Sequence, residues 1–356
     1  MKSFSVNKTK LGYNHPVYFI ADIAANHNGS LQRAKDLIYL AAESGANAAK
    51  FQHFSASKIV SEHGFKSIGS QKSHQKKWNK TVFEVYQDAS IPTEWNNELS
   101  NTCKDAGIHF FSSPYDFEMV DLLDKEGVPA YKIGSGDITW NAMLRYISTF
   151  SKPIFLATGA SSMGDVVRAM DILTESDVPI CLMQCNTNYT GTLENFKYIN
   201  LNVLRTYATM WPDILLGLSD HTPGHATVLG AVALGARAIE KHFTDDKGMD
   251  GPDHAFSMNP VEWRDMVDRT RELEAALGSA QKFVVQNEQD TVVLQRRCLR
   301  LTRDVSSGDI ITSSDIEPLR PAPANAIMPY DIDNIVDRTM SNSKLSGDFL
   351  TYFDIV

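Results

Sequence analysis

The sequence predicts an α/β chain in which a (β/α)8 TIM barrel is followed by a small, mostly β domain. Three observations carry that expectation. Apolar runs of strand length recur eight times before residue 277, amphipathic segments lie between them, and the chain changes character after Leu277. Strand–helix alternation argues for a parallel sheet, and a count of eight argues for closure into a barrel, whose usual length is about 250 residues. An open doubly wound sheet is the structural alternative, but no G-x-G-x-x-G follows the first strand.

The runs are Val17–Ile23, Ala46–Gln52, Ile108–Ser112, Pro129–Ile133, Pro153–Ala157, Pro179–Cys185, Ile214–Leu218 and Ala236–His242. Leu31–Ser44 carries apolar residues at Leu31, Ala34, Leu37, Ile38 and Ala41, a spacing that winds onto one helical face. Ser162–Glu175, Ala226–Leu234 and Pro260–Leu277 behave alike. The second and third strands are separated by Phe54–Ser90, which includes the polar run Lys66–Lys80. A gap longer than about 12–15 residues is usually functional or disordered, and in a barrel it would lie at the mouth as a substrate-covering loop or a solvated insertion. The catalytic domain is expected over 1–277, a linker over 278–295 and the small domain over 296–356, where short β-like pieces are punctuated by Ser-Gly, Pro and Asp.

Composition narrows the function. A net charge of −9 argues against a general nucleic-acid coat, though not against one local anion site. No apolar run reaches the ~18 residues of a membrane span, and the N-terminus lacks the apolar stretch of a signal peptide. Cys103, Cys181, Cys185 and Cys298 are too few and too scattered for a disulfide framework, so reduced core thiols and a cytoplasmic protein are expected.

Barrel enzymes work at the C-terminal ends of their strands, and the polar residues here collect at those ends. Asp22 ends the first strand, Lys50 and Gln52 the second, and Ser112–Ser113 the third. Lys132 and then Gly134–Ser135–Gly136–Asp137 follow in the fourth, and Tyr189 lies after the sixth. Ser219 with His221, and Glu240 with His242, end the seventh and eighth. Residues two apart share a face, so each of these last pairs points one way. A lysine in an apolar strand is costly unless it meets an anion, either a bound phosphate or carboxylate or a carboxylate across the barrel. Lys50, Lys132 and the Gly-Ser-Gly turn around Ser135 favour the bound anion. Two imidazoles at adjacent strand ends, His221 and His242, suit a divalent ion completed by water and substrate oxygens.

In order along the chain, A-D-I-A-A-N-H-N-G (21–29), K-F-Q (50–52), Y-K-I-G-S-G (131–136), G-L-S-D-H-T (217–222), E-K-H-F-T-D (240–245), G-P-D (251–253) and S-M-N-P (257–260) resemble the sialic acid synthases. That family includes the legionaminic and pseudaminic acid synthases. The resemblance implies condensation of phosphoenolpyruvate with an N-acetylmannosamine-type sugar, with release of phosphate. It implies that Lys50, Ser113, Lys132, Ser135 and Ser219 hold phosphoenolpyruvate. His221 and His242 would ligate a divalent metal, manganese first, with magnesium and cobalt as alternatives. Gln52, Asp137, Tyr189 and Asp253 would face the sugar, and Asp22 would position the aldehyde or handle a proton. The C-terminal segment resembles the antifreeze-like (SAF) domain of that family, and Arg320 matches an arginine inserted into the neighbouring barrel, which implies a swapped homodimer.

Four departures lie near the expected sugar. Asp22 and Asp137 stand where glutamate is frequent, Thr187 where asparagine is common, and Pro321–Ala326 where a Pro-Gly pattern is usual. They bring a 6-deoxy diacetamido sugar into consideration beside N-acetylmannosamine. The chemical rivals are a Schiff-base aldolase using Lys132, another phosphoenolpyruvate-condensing barrel, and a non-catalytic carbohydrate- or ice-binding protein.

Overall fold

The computed structural model describes residues 3–68, 75 and 78–356. About half of the polar run at 66–80 therefore lies outside the described residues. The chain divides into two compact units, Met1–Gly278 and Ser279–Val356.

The first unit opens with an antiparallel hairpin, β1 (Ser3–Val6) and β2 (Thr9–Gly12), turned at Asn7 with φ 51°. Eight parallel strands follow: β3 (Tyr18–Asp22), β4 (Ala48–His53), β5 (His109–Pro114), β6 (Tyr131–Ile133), β7 (Ile154–Ala157), β8 (Ile180–Cys185), β9 (Leu215–Asp220) and β10 (Ala236–His242). They close into a barrel in chain order, with β10 pairing β3. The helices around them are α1 (Leu31–Glu43), α2 (Ala56–Ile59), α3 (Glu62–Ser67), α4 (Val82–Ala89), α5 (Asn96–Asp105), α6 (Phe117–Lys125), α7 (Asn141–Ser148), α8 (Met163–Thr174), α9 (Val203–Met210), α10 (Ala226–Ala233) and α11 (Pro260–Leu277). Caps fix several of their starts: Ser162 with Asp165 and Asn259 with Glu262 each form a reciprocal capping box. No described helix is long and apolar enough to cross a membrane.

Strand alternation divides the core in two. Outward residues such as Phe19, Phe51, Leu156, Leu182 and Ile239 pack with the helices, including Leu37, Leu144 and Trp263. Inward residues Tyr18, Ile20, Ala48, Phe111, Phe155, Met183 and Leu215 fill the lower barrel, where Phe4, Val6 and Leu11 of the hairpin join them. The barrel is thus apolar at its N-terminal end, and the inward positions one or two steps further along each strand carry the polar groups described below.

The hairpin is an addition to the eight expected strands, although Phe4 and Val6 alternate with Ser3 and Ser5 before an Asn-Lys turn. Leu11 is fully buried there. Leu11→Ala is expected to lower unfolding stability by about 2–5 kcal/mol, read from a urea titration. A loss below about 1 kcal/mol would show that the hairpin does not seal the barrel.

The gap between the second and third strands is also more ordered than a polar loop. Its described residues form α2, α3 and α4, and α4 starts with a Thr81–Glu84 capping box.

In the second unit, Leu299, Leu301, Val305, Ile311, Ile316, Ile327, Ile335, Met340 and Leu350 form a core of their own. Its regular strands are β11 (Cys298–Leu301) and β12 (Ile316–Leu319), supplemented by isolated bridges such as Arg300 with Phe349 and Val305 with Lys344. The stretch read as a linker contains a helix, α12 (Gln289–Gln295), and the Val293 carbonyl accepts the Ala322 N–H at 2.9 Å. Helical periodicity is too weak over seven mostly exposed residues to announce it in sequence.

Candidate active site

The upper interior of the barrel is a connected network of charge. Asp22, at the end of β3, accepts from Lys50 Nζ at 2.7 Å and from Gln52 Nε2 at 3.3 Å on Oδ2, while its Oδ1 accepts the Ala24 N–H at 3.1 Å. Glu240 Oε1 accepts from Lys132 Nζ at 3.1 Å and Ser219 Oγ at 3.3 Å, and lies 3.8 Å from Lys50 Nζ. His242 Nε2 stands 3.6 Å from Asp22 Oδ2. The register makes this convergence: His242 pairs with Asp22, Asp22 with Lys50, Gln52 with Ser113 and Glu240 with Ser219 on adjoining strands.

Each lysine therefore has a carboxylate partner from its own chain. That is the second option open at the sequence level, and Glu240 is the residue that makes it real. The parity argument placed Glu240 beside His242 without giving it a role. Burial alone would raise the Glu240 carboxyl, but Lys132 and Lys50 outweigh it and hold the pKa down at about 2. Burial pushes Asp22 upward against the opposing pull of Lys50.

The histidines sit together in an aromatic cluster. The His221 and His242 ring centroids are 5.4 Å apart, Tyr189 is 4.4 Å from His221, and Phe256 is 4.9 Å from His242. Burial holds both imidazoles neutral, His221 at about 4 and His242 at about 3. His221 Nδ1 donates to the Asn186 carbonyl at 2.9 Å, which puts the ring's lone pair on Nε2. His242 Nδ1 is buried without a hydrogen-bond partner among the described residues. Two neutral imidazoles with available lone pairs beside Asp22 fit a divalent ion. No cluster of three His, Cys, Asp or Glu side chains able to hold a metal forms among the described residues, so water or substrate oxygens would have to complete the shell.

A cavity of about 230 Å³ opens onto this network, and its walls include Gln52, Tyr189, His242 and Asp253. Lys50, Lys132 and His221 are buried behind that wall, deeper than an open rim would place them. Tyr86, from α4, and Tyr115 complete the wall and are missed by the sequence reading. Phe54 packs against both rings at 5.4 and 5.8 Å, which ties α4 to the cavity wall. Gln75 and Trp78 of the same segment also line the cavity, and a larger space of about 760 Å³ continues outward past Trp78, Phe256 and Asp250.

Ser113 Oγ and Glu240 Oε2 are further buried polar atoms without partners among the described residues. Ser135 Oγ accepts the Gly159 N–H at 2.9 Å. A Cβ on Gly159 would meet Thr187 Cγ2 at 2.6 Å and Ser135 Oγ at 2.9 Å, so both side chains would have to shift. Asp253 accepts the Ala25 N–H at 3.2 Å, and burial pushes its carboxyl up to about 7. Arg320 belongs to the second unit, where it is exposed.

Asp137, partly buried in the turn after β6, is pushed up to about 6 by burial. Folding thus favours its protonated form, a contribution present below about pH 4 and lost as pH rises through about 6. Asp137→Asn is expected to be more stable than the parent by about 1–2 kcal/mol at pH 8, allowing for its partial exposure, with a flatter melting profile between pH 4 and 7. Identical profiles would show that the carboxyl ionises freely.

The model of the NeuB family matches residues 37–282 of the chain. The chain belongs to the NeuB family. Relatives of this NeuB-family chain include the N,N'-diacetyllegionaminic acid synthase of Legionella pneumophila, 35% identical over 96% of this chain and 95% of its own. The N-acetylneuraminate-9-phosphate synthase of Homo sapiens is 31% identical over 92% of this chain and 89% of its own. Among solved structures, the N-acetylneuraminic acid synthetase of Leptospira borgpetersenii in complex with citrate superposes with a TM-score of 0.71 at 28% identity, covering 82% of this chain and 95% of that one. The NeuB-family chain is accordingly an enzyme of a family that includes acid synthases.

Proposed function

We propose that the chain condenses phosphoenolpyruvate with the open-chain form of an N-acylated amino sugar, releasing phosphate and giving a nonulosonic acid. The observation that carries this reading is the meeting of Lys50, Lys132, His221 and His242 in one buried network beside polar atoms without partners, in a NeuB-family barrel. Lys50 and Lys132 would neutralise and orient the donor's phosphate and carboxylate, exchanging part of their bonding to Asp22 and Glu240 for it. Fixed cations in a low-dielectric site are strong electrostatic catalysts. Ser113, Ser135 and Ser219 would add hydrogen bonds to the same anion. Gln52, Asp137, Tyr189 and Asp253 would face the sugar.

A divalent ion held by His221 and His242, manganese first and magnesium or cobalt as alternatives, would polarise a carbonyl oxygen. Asp22 would orient the aldehyde or carry a proton. C3 of phosphoenolpyruvate forms the new bond to the aldehyde carbon, whose oxygen takes up a proton. Water adds at C2, and cleavage of the C–O bond releases inorganic phosphate and leaves a 2-keto acid. The site works without a lysine Schiff base, which separates it from an aldolase acting through Lys132. The buried, unpaired thiols fit a reducing compartment, and a cytoplasmic location is part of the proposal.

The test is mass spectrometry of products from a panel that includes N-acetylmannosamine and 6-deoxy diacetamido sugars, with phosphoenolpyruvate and manganese, alongside a phosphate assay. A nine-carbon acid formed with stoichiometric phosphate supports the reading. Product formation from free pyruvate with borohydride trapping would replace it by the aldolase. Arg320 is proposed to reach the barrel of a second copy in a swapped homodimer. Arg320→Ala is then expected to raise KM for the sugar about tenfold while leaving KM for phosphoenolpyruvate unchanged, and unchanged sugar kinetics would remove that arginine from the site.

A further inference from the structure

On the outer face of the barrel wall, opposite the site, lies a buried ion pair that the proposed chemistry does not use. The Lys241 and Asp220 side chains are 2% and 1% exposed. Lys241 Nζ donates to Asp220 Oδ2 and to the Thr222 carbonyl oxygen, each at 2.5 Å. The same Oδ2 accepts from Thr222 Oγ1 and Thr227 Oγ1, both at 2.8 Å, while Oδ1 accepts the Thr222 N–H at 3.2 Å. The two residues are register partners on β9 and β10.

Stability alone does not account for this pair. Burying two charges is costly, and well-packed apolar replacements are often neutral or stabilising. Its place in the chain offers a different reason. Asp220 and Thr222 flank His221, and Lys241 directly precedes His242. One ammonium group thus grips the side chain that precedes one imidazole and the backbone carbonyl that follows it, and it belongs to the residue beside the other imidazole. Slippage of one strand against its neighbour would break this outer clamp and move the inward set of Ser219, His221, Glu240 and His242 out of line.

We propose that Lys241 and Asp220 are positioning residues that hold His221 and His242 at the separation a divalent cation needs. The inference rests on the metal reading above. The test compares the wild-type chain with Asp220→Leu/Lys241→Met, in which the charges leave together. Manganese affinity is measured without either substrate, by calorimetry, together with the melting temperature and crystal structures of both proteins. The double variant is expected to melt within about 5 °C of wild type, to bind manganese at least tenfold more weakly, and to move the two rings by about 1 Å from their 5.4 Å separation. A folded variant with wild-type affinity and unmoved rings overturns the proposal. Thr227→Val guards against a double variant that fails to fold, because it removes one donor to Asp220 with no change of charge. It is expected to weaken manganese binding about threefold, and failure of the double variant with wild-type affinity in Thr227→Val would make the pair purely structural. If wild type binds no manganese, magnesium or cobalt, the metal reading fails; ring displacement in the double variant still decides the positioning role.

Discussion

Lys132→Met is expected to lower kcat/KM for phosphoenolpyruvate by about 10³-fold, with a much smaller change in KM for the sugar. Lys132 Nζ lies 3.1 Å from Glu240 Oε1, inside a barrel where both side chains are almost wholly buried. Its ammonium is one of two cations in the network able to meet a donor carrying phosphate and carboxylate, the other being Lys50. Methionine keeps the length of the side chain and removes the charge. The substitution also leaves Glu240 with Lys50 alone, at 3.8 Å. A buried carboxylate that loses its nearest cation costs about 3 kcal/mol, so Lys132→Met should also melt early. The double variant Lys132→Met/Glu240→Gln separates the two effects. It is expected to recover most of the stability and none of the donor affinity. Recovery of phosphoenolpyruvate binding in the double variant would mean that Lys132 acts only by restraining Glu240, and the anion site would have to be sought elsewhere.

That coupling explains where the sequence was legible and where it was not. The eight strands were readable because strand-length apolar runs with turn residues at both ends survive any choice of side-chain partner, and the final one, Ala236–His242, coincides with its observed bounds. Alternation also put Ser219 with His221, and Glu240 with His242, on one face of their strands. What alternation cannot show is which groups satisfy one another across the barrel. Asp22 and Lys50 are 28 residues apart, and Lys132 and Glu240 are 108 apart. Their pairing depends on barrel closure and stagger, so the sequence alone leaves a bound anion and a carboxylate across the barrel both open for each lysine. Tyr86 and Tyr115 were missed for a related reason. Tyr86 comes from α4 and Tyr115 follows the end of β5, and both meet Phe54 through contacts without local periodicity. The hairpin is different, since its Phe4–Val6 alternation was present and went unread. Lys241 and Asp220 stand among the very motifs that carry the resemblance, and only their outward parity separates them from the site.

His242→Ala is expected to abolish divalent-ion binding and to reduce metal-dependent turnover by at least ~10³-fold, while the melting temperature stays near that of the parent. This imidazole meets few of its own needs within the fold. Its Nδ1 lacks a hydrogen-bond partner among the described residues, its Nε2 is 3.6 Å from Asp22, and burial keeps it neutral, with a pKa near 3. A side chain that contributes so little hydrogen bonding leaves little behind when it is truncated, apart from its ring contacts with Phe256 and Tyr189. His53 provides the contrast. It too is buried and near the barrel end, but its ring bonds Ser112 Oγ and Asn96 Oδ1, both at 2.7 Å. His53→Ala should therefore cost about 2–3 kcal/mol of stability and leave ion affinity intact, because both partners would be left unsatisfied in the interior. Calorimetric titration with manganese and thermal melting of the two variants, side by side, distinguish an imidazole kept for a ligand from one kept for the fold. If the two variants behaved alike in both measurements, His242 would be a structural residue, and the barrel mouth would have to accomplish its chemistry without it.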